Sequence, residues 1–313
     1  MSERVLVTGA TGFVGRAVCQ HLASQGYRVR GVVRGSHERP TGVEFAQIPD
    51  LAKATSSQWA ELLDDVQVVI HCAALVHQMQ GVPDPDAYYR INTAATAMLA
   101  EAAAGAGVRR FIFLSTVKVL GEYSEPGRPF RADDPANPQD DYARSKWLAE
   151  QALTAVGNRT GMDAVILRPP LIYGPGVGGN FESLMWLVKK GVPLPLGAVN
   201  NQRSLLAIDN LLDVLSLCVH RLQPLAGNYL VGDGQDVSTR ELVCELALAQ
   251  GVRAMLLPVP VSILRLAGWC LGRKAAVERL CADLCVNIDV TRSTLDWEPR
   301  YTLSECCKLQ AII

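Results

Sequence analysis

The chain has 313 residues, 49% of them hydrophobic, with 30 Lys+Arg against 31 Asp+Glu and a formal net charge of −1. At roughly 150 residues per domain this is about two domains' worth of chain, long enough to bury a core without staples. The balanced, scattered charge excludes the basic face of a nucleic-acid binder.

Met1-Ser2-Glu3-Arg4 leads directly into Val5-Leu6-Val7, a short buried strand, with no signal peptide before it. A glycine turn follows, then an apolar-periodic helix from about Phe13 to Ser24, with Gly26 placed to end it. Strands are expected at Tyr27–Val33, Val43–Ile48, Val66–Cys72, Arg110–Leu114 and Ala164–Leu167, with helices at Ala87–Ala104 and Asp141–Val156. Near-continuous apolar strands alternating with helices predict a parallel sheet covered on both faces. The fold class is therefore α/β, a Rossmann-type doubly wound sheet with a smaller C-terminal substrate-binding lobe.

The texture changes after Arg168-Pro169-Pro170: glycines and prolines recur through Gly197, and helical segments follow near Leu205–Val219 and Ser238–Ala249, around a short strand at Tyr229-Leu230-Val231. The division is placed at 1–170 for dinucleotide binding, with segments near 203–232 returning to it, and 171–313 mainly for substrate. The apolar stretch from Met255 to Gly272 is broken by Pro258, Pro260, Ser262 and Arg265, so it should not span a bilayer. Its amphipathic part, Val261–Leu271, is expected to pack into the core. Nine cysteines, an odd number without a CxxC pair, read as free thiols in a reducing, cytoplasmic setting. The five histidines show no metal spacing; His77 follows a strand and could reach a substrate.

Two clusters carry chemistry. Thr8-Gly9-Ala10-Thr11-Gly12-Phe13-Val14-Gly15 sets glycines at 9, 12 and 15 between a strand and a helix, where bare backbone amides can hold a pyrophosphate. Gly9, Thr11, Gly12, Phe13, Val14 and Gly15 are the cofactor-binding candidates there. The second strand ends in Gly31-Val32-Val33-Arg34, without the carboxylate that would hold a ribose 2′-hydroxyl. Arg34 could answer a 2′-phosphate, which favours NADP(H) over NAD(H). Asp50, followed by Leu51, could reach the adenine amino group or simply cap a helix. Tyr142-Ala143-Arg144-Ser145-Lys146 puts Tyr142 and Lys146 on one helical face. A phenol titrating near ~10 becomes a useful acid–base group only beside a positive charge. Thr116, at the end of the Arg110–Leu114 strand, supplies a hydroxyl to orient a reacting oxygen.

Together these residues resemble the extended short-chain dehydrogenase/reductase family, in its nucleotide-sugar epimerase/dehydratase branch. The resemblance extends through His71-Cys72-Ala73-Ala74, Asn92, and Arg168-Pro169-Pro170-Leu171-Ile172-Tyr173-Gly174-Pro175. It implies that Ala73, Ala74, Asn92, Tyr142, Lys146 and Pro169 lie along the cofactor, that Thr116, Tyr142 and Lys146 are catalytic, and that Thr116, Asn180 and Arg203 hold the substrate. It also implies a homodimer through two helices. The Thr-Asp-Glu of the branch's dehydratases is here Thr116-Val117-Lys118, and neither replacement does the work of that acid and base. The reading put first is a reductase of nucleotide-diphosphate 4-ketosugars, with a UDP-sugar 4-epimerase as the alternative. A steroid or flavonoid-like ketone reductase and a non-catalytic dinucleotide sensor stand behind both.

Overall fold

In the computed structural model, which describes residues 3–35, 41–76 and 84–311, the first half of the chain alternates strand and helix. In order come β1 (Arg4–Thr8), α1 (Phe13–Ser24), β2 (Arg28–Val33), β3 (Val43–Gln47), α2 (Ser56–Leu62) and β4 (Val68–His71). They are followed by α3 (Pro85–Tyr88), a π-helical turn (Tyr89–Ala94), α4 (Ala95–Gly105), β5 (Arg110–Leu114), α5 (Asp141–Thr160) and β6 (Asp163–Arg168). The second half adds β7 (Leu171–Tyr173), α6 (Gly179–Lys189), β8 (Arg203–Ala207), α7 (Ile208–His220), β9 (Gly227–Leu230) and β10 (Asp236–Val237). It ends with α8 (Thr239–Ala249), α9 (Val261–Cys270), α10 (Lys274–Cys281), α11 (Asp289–Leu295) and α12 (Leu303–Ala311).

Seven strands form one sheet in the order β3-β2-β1-β4-β5-β6-β9, and every pair in it is parallel. Because successive residues of a strand face opposite sides, each strand must be apolar throughout to be covered on both. Val5, Val7 and Ile70 pack under α1 and α7 with Val18, Leu22, Leu211 and Leu215. Leu6, Val69, Phe111 and Phe113 pack on the other side with Trp59, Leu99 and Leu153. The chain order reverses between β1 and β4, and ligands of such sheets bind outside the strand ends at that point.

The later strand expected at Tyr229 does return to the sheet, where β9 lies beside β6. A second sheet, β10-β8-β7, sits over a third apolar cluster containing Tyr173, Phe181, Val243, Leu246 and Cys306.

Three expectations need correction. The helix expected from Ala87 to Ala104 is interrupted by a π-helical turn, which inserts a residue and swings Asn92 inward. The helix expected from Leu205 begins only at Ile208, because Leu205–Ala207 pairs with Leu171–Tyr173. The amphipathic helix α9 turns only Val261, Leu264 and Gly268 toward the protein, leaving Ile263, Leu266 and Trp269 exposed rather than packed.

Candidate active site

At the switch point, Gly9 ends β1 with φ +68° and Gly12 caps α1 without any side-chain hydrogen bond. The first-turn amides of α1 therefore keep their donors, and the positive end of the helix dipole, for an incoming anion. The turn tolerates little else. A Cβ on Gly9 would lie 2.9 Å from the Ala73 nitrogen, and one on Gly15 would lie 2.2 Å from the Gly9 oxygen. Thr11 and Gly12 are exposed at the rim, while Phe13 and Val14 pack partly into the core beneath. This is a cradle that a Cβ would fill, and it fits a dinucleotide pyrophosphate.

Thr116 follows β5, Tyr142 and Lys146 occupy the first turns of α5, and the fold brings the three together. Burial and the nearby Asp140 charge push the Tyr142 phenol above its usual range, and the neighbouring Thr116 hydroxyl works in the opposite direction. Tyr142 also meets Tyr88 edge to face at 6.4 Å. Lys146 is 1% exposed; its Nζ donates to the Leu114 carbonyl at 2.6 Å and lies 3.9 Å from the Phe113 ring centroid. Burial pulls its pKa down to about 7, against the opposing charge of Glu150 and a smaller contribution from Cys72.

Glu150, one turn beyond Lys146, is a residue whose part the sequence did not disclose. Its carboxylate is gripped by Arg168 at 2.7 and 3.1 Å and by the Ser115 hydroxyl at 2.5 Å. The signal was present, since 142, 146 and 150 share one face of a helix, and a carboxylate on a face that buries must find cations. Asn92, buried, holds both the nitrogen and the carbonyl of Leu75 and donates to Ser145 at 3.0 Å. It thus ties the loop carrying Ala73 and Ala74 to the helix carrying Tyr142. His71 is a satisfied core residue between Thr8 and Thr96, at 2.6 and 3.0 Å.

The remaining candidates are dispersed. Pro169 is buried, and its carbonyl accepts from Val117 at 2.9 Å, joining the ends of β5 and β6. Arg34 is exposed just past β2. Asp50 caps a short 3₁₀ turn through Ala52 at 3.0 Å, with Leu51 partly buried behind it, which is the capping role weighed for it. Asn180 stands exposed on the first turn of α6. Arg203, at the start of β8, donates to the carbonyls of Arg279 and Ala282 at 2.9 and 3.2 Å. Lys118 pairs with Glu122 at 2.6 Å and Asp140 at 3.0 Å; burial opposes its charge, but these two bonds outweigh it and hold the pKa above the usual lysine value. A lysine so held is no substitute for a dehydratase base. His77 lies outside the described residues.

A doubly wound sheet with a glycine cradle and a Thr–Tyr–Lys group at its switch point defines a dinucleotide-dependent enzyme. Residues 5–232 match the model of the NAD dependent epimerase/dehydratase family, and the chain belongs to that family. A UDP-glucose 4-epimerase of Vibrio cholerae is 42% identical, over 99% of this chain and 95% of its own. Among solved structures, the UDP-glucose 4-epimerase of Thermotoga maritima with UDP-glucose superposes with TM-score 0.80 at 21% identity, covering 99% of this chain and 97% of that one. The UDP-glucose 4-epimerase of Thermus thermophilus in complex with NAD gives TM-score 0.78 at 24% identity, covering 99% and 98%. Among the described residues, no helix is long and apolar enough to cross a membrane.

Proposed function

We propose that this protein is a UDP-sugar 4-epimerase that works with a retained NAD. The observation that carries the proposal is the 42% identity to the Vibrio cholerae 4-epimerase along nearly the whole of both chains. It favours the epimerase over the 4-ketosugar reductase expected first from the motifs. Residues 1–170 with α7 and β9, the part of 203–232 that returns to the large sheet, would hold the cofactor, and 171–313, with β8 in the second sheet, would mainly hold the sugar nucleotide.

The glycine cradle would receive the pyrophosphate, with Ala73, Ala74 and Pro169 lining the way to the nicotinamide end, whose chemistry when bound is reversible hydride acceptance. Tyr142 takes the proton from the sugar O4 and later returns it. Thr116 would hold O4 during both transfers, and Lys146, one helical turn beyond Tyr142, would supply the positive charge that brings the phenolate within reach. Glu150 opposes the loss of that charge. Arg203, aided by Asn180, would grip the diphosphate, and a homodimer through the helices at 85–105 and 141–160 is part of the same reading.

The test is to incubate the purified protein with UDP-glucose or UDP-N-acetylglucosamine, without added cofactor, and follow the C4 epimer by proton NMR. The nicotinamide released on denaturation is identified alongside. Epimer formation with stoichiometric NAD is expected, and Tyr142→Phe should lower the rate by about 10²–10⁴. An empty site, no epimer, and NADPH-driven turnover of a UDP-4-ketosugar would replace the epimerase by the reductase and assign Arg34 to the 2′-phosphate.

A further inference from the structure

Helix α9 presents an apolar face with no protein against it among the described residues. Gly268 lets α10 approach so closely that a Cβ there would sit 2.6 Å from Val277 Cγ2, and Val261 and Leu264 close the same inward seam. The opposite stripe, Ile263, Leu266, Ala267 and Cys270, follows the i, i+3, i+4, i+7 spacing of one helical face and is exposed throughout. Ile263 is 54% exposed, Leu266 61%, Trp269 70% and Leu271 74%. Single exposed apolar residues are ordinary; a contiguous run of this kind marks an interaction surface.

The charge along α9 and the segment leading into it is one-sided. Between Glu245 and Glu278 the sequence has no acidic residue, while Arg253, Arg265, Arg273 and Lys274 are all basic, in a chain whose overall charge is −1. Arg265 is paired with Glu278 at 3.0 Å; Arg273 and Lys274 are exposed at the junction of α9 and α10. At 1.5 Å per residue, α9 is about 15 Å long, half the thickness of a bilayer core, so it can only lie on a membrane.

We propose that α9 docks this protein on an anionic lipid surface, with Ile263, Leu266 and Leu271 entering the acyl boundary, Trp269 at headgroup level, and Arg273 and Lys274 on the phosphates. An amphipathic helix with an apolar face, a tryptophan and flanking cations lies in the membrane plane in this manner. A second copy fits the face less well: Glu278, the acid of α9 and α10, is already paired with Arg265 at 3.0 Å, so a two-fold mate brings Arg273 and Lys274 no free acid from these helices. The docked hairpin would lie next to Arg203, which donates to the Arg279 carbonyl of α10. Docking does not depend on the proposed chemistry and is measured without substrate.

The experiment is flotation of the full chain with vesicles of phosphatidylcholine, with and without phosphatidylglycerol, for wild type, Leu266→Asp, Trp269→Ser and the pair Arg273→Glu with Lys274→Glu. Wild type should float with the anionic vesicles and scarcely with neutral ones. Leu266→Asp and Trp269→Ser should lose binding at least about tenfold, with unfolding temperatures unchanged because these side chains touch little protein. Removing each basic charge should weaken binding on the order of fivefold, and added salt should do the same. Absence of flotation with anionic vesicles, or equal flotation of the Leu266→Asp protein, would overturn the proposal. A dimer in sedimentation that Leu266→Asp dissociates would also overturn it, by giving the face to a second copy.

Discussion

Replacing Gly15 by alanine tests whether the glycine cradle is a matter of space. The new Cβ would stand 2.2 Å from the Gly9 oxygen, 2.7 Å from the Gly9 carbonyl carbon and 3.2 Å from the Ala10 Cα. Nonbonded carbon contacts settle at about 3.5 Å, so the turn and the first turn of α1 must part by on the order of 1 Å. All three obstacles are backbone, so no side chain can rotate away. Overpacking of this size costs about 1–3 kcal/mol of folding stability, and a displacement of about 1 Å in a binding frame can cost on the order of a hundredfold. Thermal unfolding, and the NAD released per chain on denaturing the purified protein, should show both losses; each tenfold rise in Kd removes about 1.4 kcal/mol of ligand-induced stabilisation. Gly12→Ala should be milder, since its Cβ meets only the Gly9 oxygen at 3.3 Å. Gly105→Ala, with nothing within 4 Å, should be neutral or stabilise by up to about 1 kcal/mol. A Gly15→Ala protein with the wild-type unfolding temperature and NAD content would refute the steric argument.

Glu150→Gln should destabilise by about 3–5 kcal/mol, because Arg168 is left buried without its counter-ion; the double variant with Arg168→Met should recover most of this in urea unfolding. A loss below about 1 kcal/mol for the single variant would show that the pair is dispensable. In the same Glu150→Gln protein the alkaline fall of activity should move to lower pH, since Lys146 loses the neighbour that keeps it charged. Lys146→Met should abolish turnover yet stabilise the fold. With a folded pKa of about 7 against an ordinary 10.5, the buried charge costs stability fully below pH 7, and that cost fades as pH rises through the window to 10.5, where only the unfolded chain still binds the proton. The gain of Lys146→Met over wild type should therefore be largest below the window and vanish above it. A gain independent of pH would mean that Lys146 is not carrying a costly charge.

Strand alternation and the glycine spacing make the sheet and its cradle readable from the sequence, because β1 through β6 are local elements whose burial is written in their own residues. Tyr142 and Lys146 are equally readable, since a four-residue spacing on a helix fixes their common face. The sequence also leaves β8 looking like helix: Leu205–Ala207 has no local reason to extend until β7 lies beside it. The π-helical turn at Asn92 is invisible for a similar reason. Its cause is the demand of the Leu75 loop and Ser145 for an amide between them, and both partners are distant in sequence.

What the sequence determined alone is therefore the kind of protein: a parallel α/β sheet, a glycine-lined anion cradle, and a tyrosine with its lysine. Each depends on the chemistry of neighbours within a turn or two. Only the tertiary structure decided how that lysine is tuned and which helix stays uncovered. Burial of Lys146 and the ion pair of Glu150 with Arg168 arise where α5 crosses the ends of β5 and β6. The open face of α9 exists because Gly268 commits the opposite side to α10, and no local pattern states which face of an amphipathic helix finds a partner.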